Sequence, residues 1–495
     1  MLNWLRALAL HVSIAVQLRL AAFLALALTS LSAASSEAQL GERLFHDARF
    51  ARSPAAMSCA TCHPSITGEG QLGAFADRAG QSAVPDRADG QRVTPRHAST
   101  LLDVAEPGGW GLLHWDGEFA SLEELIKGTF TGRNFGWLAD ERAAAVAHFA
   151  RIVREDVGAE GRAAYAIELR ETEPAMVLAT TGDGLILDVC ARAVAAYLRT
   201  IRLPRDAEGR HSGSPYDAFL SANRLPRAPN PGETPHEYAR RLHATVAALR
   251  QPIFVDDPAR RLTAGSQSFR FGEEELRGMR IFFRGAMGYV RSASAGNCAE
   301  CHVPPQFTDF AFHNTGATQD RYDAVHGAGA FANLEVPSLA ERNADPERWL
   351  PPAATHPRAA DPWRSVPDRA QPAHADLGLW NVYANSAMPA PQVVIERQLN
   401  RAGTLAREAV LSATLARFKT PSVRNLGREA PLLHDGSAKT VEDVLRIYRR
   451  MSDLARQGAM RNAPAEFAAM RLAEADLPPL AAFLHSLQNH TATAR

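Results

Sequence analysis

Cysteine is scarce. Five in 495 residues cannot make a disulfide scaffold. Net charge is missing too: 54 acidic and 54 basic side chains cancel. No strong field therefore steers nucleic acid or an anionic membrane toward the chain, and no nucleic-acid partner is expected. Long apolar runs are confined to the N-terminus, where Arg6 and Arg19 precede the stretch from Leu20 to Leu31 and the small residues Ser32-Ala33-Ala34 follow. That order reads as an export signal over residues 1–34, cut near Ala34 or Ala38, and predicts a periplasmic protein. A retained anchor is the alternative, although the run is short for a span.

Four of the five cysteines fall in Cys59-Ala60-Thr61-Cys62-His63 and Cys298-Ala299-Glu300-Cys301-His302. C-x-x-C-H is the attachment signature of a c-type haem. Two thiols reach the vinyl groups of one porphyrin, and the adjacent imidazole turns onto the iron. A pair of disulfides or zinc knuckles would leave both histidines unexplained. The reading is two covalent haem c groups, held by Cys59, Cys62, Cys298 and Cys301, with His63 and His302 on the irons. The fifth thiol, Cys190, lies in an apolar helical pattern and reads as buried and inert.

The chain looks duplicated. Leu40-Gly41-Glu42-Arg43-Leu44-Phe45 precedes the first motif, and Leu276 to Phe283 precedes the second. Trp115-Asp116-Gly117 follows the first and His434-Asp435-Gly436 the second; each leads to a capping-box pattern, at Ser121 and at Thr440. Helical periodicity covers Glu141 to Val153, Leu185 to Thr200 and, interrupted by Pro478 and Pro479, Leu472 to Leu487. Ser212 to Pro235 and Asn343 to Pro372 read as loops or insertions. Strand patterns are sparse. The predicted fold is mainly α, with long surface loops.

These residues resemble the bacterial di-haem cytochrome c peroxidase family, including its MauG branch. The resemblance rests on Leu40-Gly41-x-x-Leu44-Phe45-x-Asp47 with Ser58 to His63, on Trp115-Asp116-Gly117, on Phe307-Thr308-Asp309-x-x-Phe312-His313-Asn314-x-Gly316, and on Phe418 to Asn425 with Pro431 and His434-Asp435-Gly436. It implies two cytochrome-c-like helical domains, here 39–205 and 271–490, joined by a linker or insertion at 206–270 and with an insertion near 343–372. The N-terminal haem would meet hydrogen peroxide or dioxygen. The C-terminal haem would pass electrons from a small redox protein, serving as donor or as protein substrate. A homodimer is also implied, as is an interface calcium to which no ligands can be assigned.

Tyr448, two turns into the helix opened by Thr440, matches the sixth ligand of the second iron: a Met in the peroxidase branch, a Tyr in the MauG branch. A tyrosine packed on the haem edge, or Met451 as the ligand, are the alternatives. For the first iron, His97 replaces an Asn of the family's Arg-Asn-x-Pro pattern and reads as a surface or supporting residue, which leaves an open iron. Trp115 is the expected carrier of an electron hole between the haems, or a large aromatic filling the interface. The distal face departs from the family. Counting from Trp-Asp-Gly puts Leu125 and Phe135 at its Gln and Glu, and Glu118 at its Arg; Glu123, Glu124 and Arg133 are near in sequence. An apolar distal pocket would suit an oxygenase acting on an apolar substrate. A peroxidase or MauG-like oxidase and a non-catalytic electron carrier are the other two readings.

Overall fold

The computed structural model is mainly helical and describes residues 36–53, 57–64, 94–106, 108–159, 162–261, 268–285, 294–426 and 431–489. The export signal lies outside the described residues. The first half comprises α1 (36–46), α2 (Cys59–Cys62), α3 (Leu122–Phe130), α4 (Arg142–Glu155), α5 (Tyr165–Thr172) and α6 (Asp183–Leu198). Its core forms where apolar positions recur at helical spacing. Phe50 stacks on Phe149 with ring centroids 4.3 Å apart, and Phe130 and Ile186 close around them.

The second half begins with α7 (Pro215–Ala222) and α8 (Pro235–Ala247), then a hairpin of β1 (Val255–Arg261) and β2 (Ser268–Phe271), then α9 (Glu273–Phe283). The short strand β3 (Phe312–His313) follows, with α10 (Ala317–His326), α11 (Leu339–Ala344), α12 (Pro346–Trp349), α13 (Gln392–Leu399) and α14 (Arg407–Thr414). Strand β4 (Phe418–Lys419) pairs antiparallel with β3, and α15 (Val441–Arg456), α16 (Ala465–Ala468) and α17 (Leu477–His485) close the chain. Among the described residues no helix is long and apolar enough to cross a membrane.

Two glycine crossings repeat between the halves. A Cβ on Gly41 of α1 would collide with the Ala193 carbonyl of α6, and one on Gly278 of α9 with the Pro479 carbonyl of α17. Glycine lets each helix pair touch backbone to backbone. The two Asp-Gly turns repeat as well. Leu113 N–H donates to Phe119 O and Leu432 N–H to Ala438 O, both at 2.8 Å. His114 and Gly117 in one turn, Leu433 and Gly436 in the other, have positive φ between 65° and 75°. Trp115 and His434 are therefore structural counterparts.

Three expectations change. Pro478 and Pro479 do not interrupt a helix; they stand in the first turn of α17, where a missing N–H leaves no bond unmade. The stretch from Ser212 to Pro235 contains α7, started by Ser214, whose Oγ accepts from Asp217 N–H at 3.1 Å. Asn343 to Pro372 is not a surface loop. Its Trp363 is 1% exposed within a third core with Trp380 and Tyr383. Arg342 lies fully buried beside it and donates to the carbonyls of Trp380 and Tyr383 at 2.6 and 2.7 Å, which satisfies a cation that no periodic pattern announces.

Candidate active site

Each C-x-x-C-H motif forms one wall of a cavity. None of the four cysteines is in a disulfide, and burial pushes the thiols of Cys59 and Cys298 up to about 12. They fit thioether attachment to a prosthetic group. His302 donates from Nδ1 to the Phe307 carbonyl at 3.2 Å, which turns Nε2 to the cavity in the tautomer a metal needs. Burial lowers His63 to about 4, so its imidazole is neutral and fit to ligate.

The second cavity is walled by Cys298, Cys301, His302, Phe282, Leu445 and Tyr448. Tyr448 reaches it because Thr440 starts α15: the Thr440 Oγ1 accepts from Asp443 N–H at 3.1 Å, and Tyr448 follows two turns later. Burial pushes the phenol up to about 12. Met451 does not share this wall. It packs under Gly316 in a cluster with Met460 and Phe467. Met470 does reach the cavity, from a segment whose sequence carried no signal for it.

The first cavity is mixed rather than purely apolar, against expectation. His63, His97, His114, Glu118, Arg133 and Arg364 line it together with Trp115, Phe119, Trp137, Leu138 and Met388. Leu125 and Phe135 do not. Leu125 packs on the first core, and Phe135 is 2% exposed with its ring edge-on to Phe130 at 5.3 Å. Helix α3 ends at Phe130; its last turn presents Thr129 to the cavity, and the turn after it presents Arg133 and Asn134. Glu123 and Glu124 stay on the helix surface, paired with Arg199 and Lys127. His97 is not a surface residue; it is 6% exposed, between the two cavities.

A charge network closes the polar end. Asp116 is fully buried between Arg96 at 2.5 Å and Arg364 at 2.8 Å. Burial alone would raise this acid, but the two arginines outweigh it and hold it well below the carboxylate range. Arg364 also reaches Glu118 at 3.3 Å, and His114 lies 3.6 Å from the same carboxyl. Arg133 pairs with Asp361 at 3.1 Å. Both arginine 364 and aspartate 361 come from the insertion near 343–372, which sequence reasoning left without a role.

Trp115 borders both cavities. Its Nε1 donates to His97 O at 2.7 Å, its carbonyl accepts from Lys419 N–H at 2.8 Å, and His97 N–H donates to His434 O at 2.9 Å. Main-chain bonds from both halves thus fix the indole between the two sites. Two groups among the described residues could gather around a metal ion, Cys301-Asp309-His313 and His114-Asp116-Glu118. Neither offers the six or more oxygens that calcium takes.

Residues 35–224 match the di-haem cytochrome c peroxidase family. No curated protein matches the chain. Among solved structures, the diheme peroxidase BthA from Burkholderia thailandensis is 19% identical, with a TM-score of 0.48, over 92% of this chain and 87% of that one. A MauG-like protein associated with microbial copper homeostasis is 18% identical, with a TM-score of 0.46, over 91% of this chain and 89% of that one.

Proposed function

We propose that this chain, whose residues 35–224 match the di-haem cytochrome c peroxidase family, is an exported periplasmic oxidoreductase that reduces hydrogen peroxide at its first cavity with electrons received through its second. The observation that carries the reading is Trp115, one indole in the walls of both cavities, each of which has its own C-x-x-C-H motif. A haem bound at each motif supplies one-electron chemistry and, where its outer face is open, a site for a small oxidant. The chain supplies the rest. Cys59, Cys62, Cys298 and Cys301 tether, and His63 and His302 ligate. Tyr448 closes the second site. The polar groups of the first cavity, His114, Glu118, Arg133 and Arg364, hold and orient a hydrogen-bonding oxidant, which favours peroxide over the apolar substrate of an oxygenase. Trp115 spans the gap through which the halves exchange electrons. A small redox protein is the donor, the protein works as a homodimer, and residues 1–34 are removed on export.

Adding hydrogen peroxide to the purified diferric protein should shift the Soret band, and a reductant should restore it. A band that does not respond, with both irons six-coordinate and low-spin by electron paramagnetic resonance, would instead select a non-catalytic carrier.

A further inference from the structure

We propose that Glu118, clamped by Arg364 and flanked by His114, is the acid–base group of the first cavity and carries a proton from one oxygen of bound peroxide to the other. The inference rests on the reading that peroxide reacts in this cavity. Four observations on this chain carry it. Glu118 and His114 share the cavity wall with His63. Arg364 reaches Glu118 at 3.3 Å from an insertion nearly 250 residues along the chain, and its Nε is buried with no partner among the described residues, so one donor remains for a ligand. The counterpart turn of the second half carries Ser437 where this one carries Glu118, and that half closes its cavity with a phenol instead. Finally, the residues that sequence counting placed at the distal face stay out of the cavity wall: Phe135 lies in the core and Leu125 packs against it.

Heterolysis needs one proton moved. The Glu118 carboxylate accepts it from the near oxygen and returns it to the far one; the O–O bond breaks and the far oxygen leaves as water. Two electrons from a one-electron redox protein and two further protons convert the remaining oxygen to a second water. The groups facing Glu118 are His114 and Asp116 from its own turn, Arg364 from the insertion and Arg133 from the turn after α3. Burial would raise this acid, but Arg364 and His114 outweigh that and hold it below the usual glutamate range, so it is a base at neutral pH.

The test uses the haem-loaded protein and three probes: hydrogen peroxide, cyanide and carbon monoxide. Cyanide arrives as its acid and must lose a proton to bind, whereas carbon monoxide carries none. Glu118→Gln should slow both the peroxide reaction and cyanide binding by about 100-fold or more, with carbon monoxide binding unchanged, and Glu118→Asp should recover part of the loss. Wild-type rates for both peroxide and cyanide in Glu118→Gln would overturn the proposal while leaving the peroxidase reading intact. A wild-type protein inert to peroxide would overturn both. Should Glu118→Gln not load haem, Arg364→Gln decides: losing the cation should move the acid limb of the cyanide pH profile upward, and an unmoved profile would overturn the assignment.

Discussion

Tyr448 faces the second cavity as a phenol that will not ionise unaided near neutral pH, because burial pushes it up to about 12. Only a cation in the cavity makes the phenolate accessible, and a phenolate is a hard anion that favours ferric iron. Tyr448→Met should therefore raise the midpoint potential of the second centre, since a thioether favours ferrous iron, and Tyr448→Phe should open it to cyanide. Spectroelectrochemical titration checks both, and an unchanged potential in the Met variant would remove Tyr448 as a ligand. Met451 is no substitute, because it is 2% exposed under Gly316 and does not line the cavity. Tyr448 was legible because the resemblance pointed to its position and the Thr440 cap that sets the start of α15 is a local signal. Counting from Trp-Asp-Gly failed for Leu125 and Phe135. An offset taken from another chain assumes the same helix length, and here the last turn of α3 and the turn after it, not the helix flank, meet the cavity.

Helix pairs are the scale at which the two halves repeat. The crossing of α1 on α6 and that of α9 on α17 both depend on a glycine with a carbonyl against its Cα. Inserting even a methyl there forces the helices apart, at about 1–3 kcal/mol by the cost of overpacking. Gly278→Ala should lower the thermal midpoint more than Thr440→Ala, which removes one cap hydrogen bond worth about 1 kcal/mol. Calorimetry on the two variants ranks them, and a reversed order would mean that the α9–α17 crossing yields more easily than its geometry indicates. Helices of this kind were legible because caps and apolar periodicity are local. The insertion near 343–372 was not. Its burial depends on Trp363 and Arg342 meeting Trp380 and Tyr383, contacts between segments with no shared period.

Across the whole molecule the halves are joined by charge as well as by Trp115. Arg96 bonds Asp116 in its own half and Asp376 in the other, and Arg364 crosses back to Asp116; within the second half Arg321 pairs with Asp435. None of this could be read from a balanced composition, since partners in the network stand up to 280 residues apart. Its pH dependence has a definite sign. Burial pushes His211 down to about 2 and also holds His434 below the ordinary histidine value. Such groups protonate first in the unfolded chain, so their contribution to stability is lost as pH falls below about 6.5. Asp116 and Asp435 are held below the ordinary carboxylate range: burial opposes this, but Arg96 and Arg364 outweigh it at Asp116, and His434 with Arg321 at Asp435. Their contribution is intact above about pH 4 and is lost as pH falls through their depressed folded values. The thermal midpoint should therefore fall in two stages on acidification, a first below about pH 6.5 and a second below about pH 4. Asp116→Asn should lower the midpoint at neutral pH, because it strips Arg96 and Arg364 of a shared buried partner, and should flatten the second stage alone. A midpoint that stays level from neutral pH down to about pH 3 would mean that these charges do not hold the halves together.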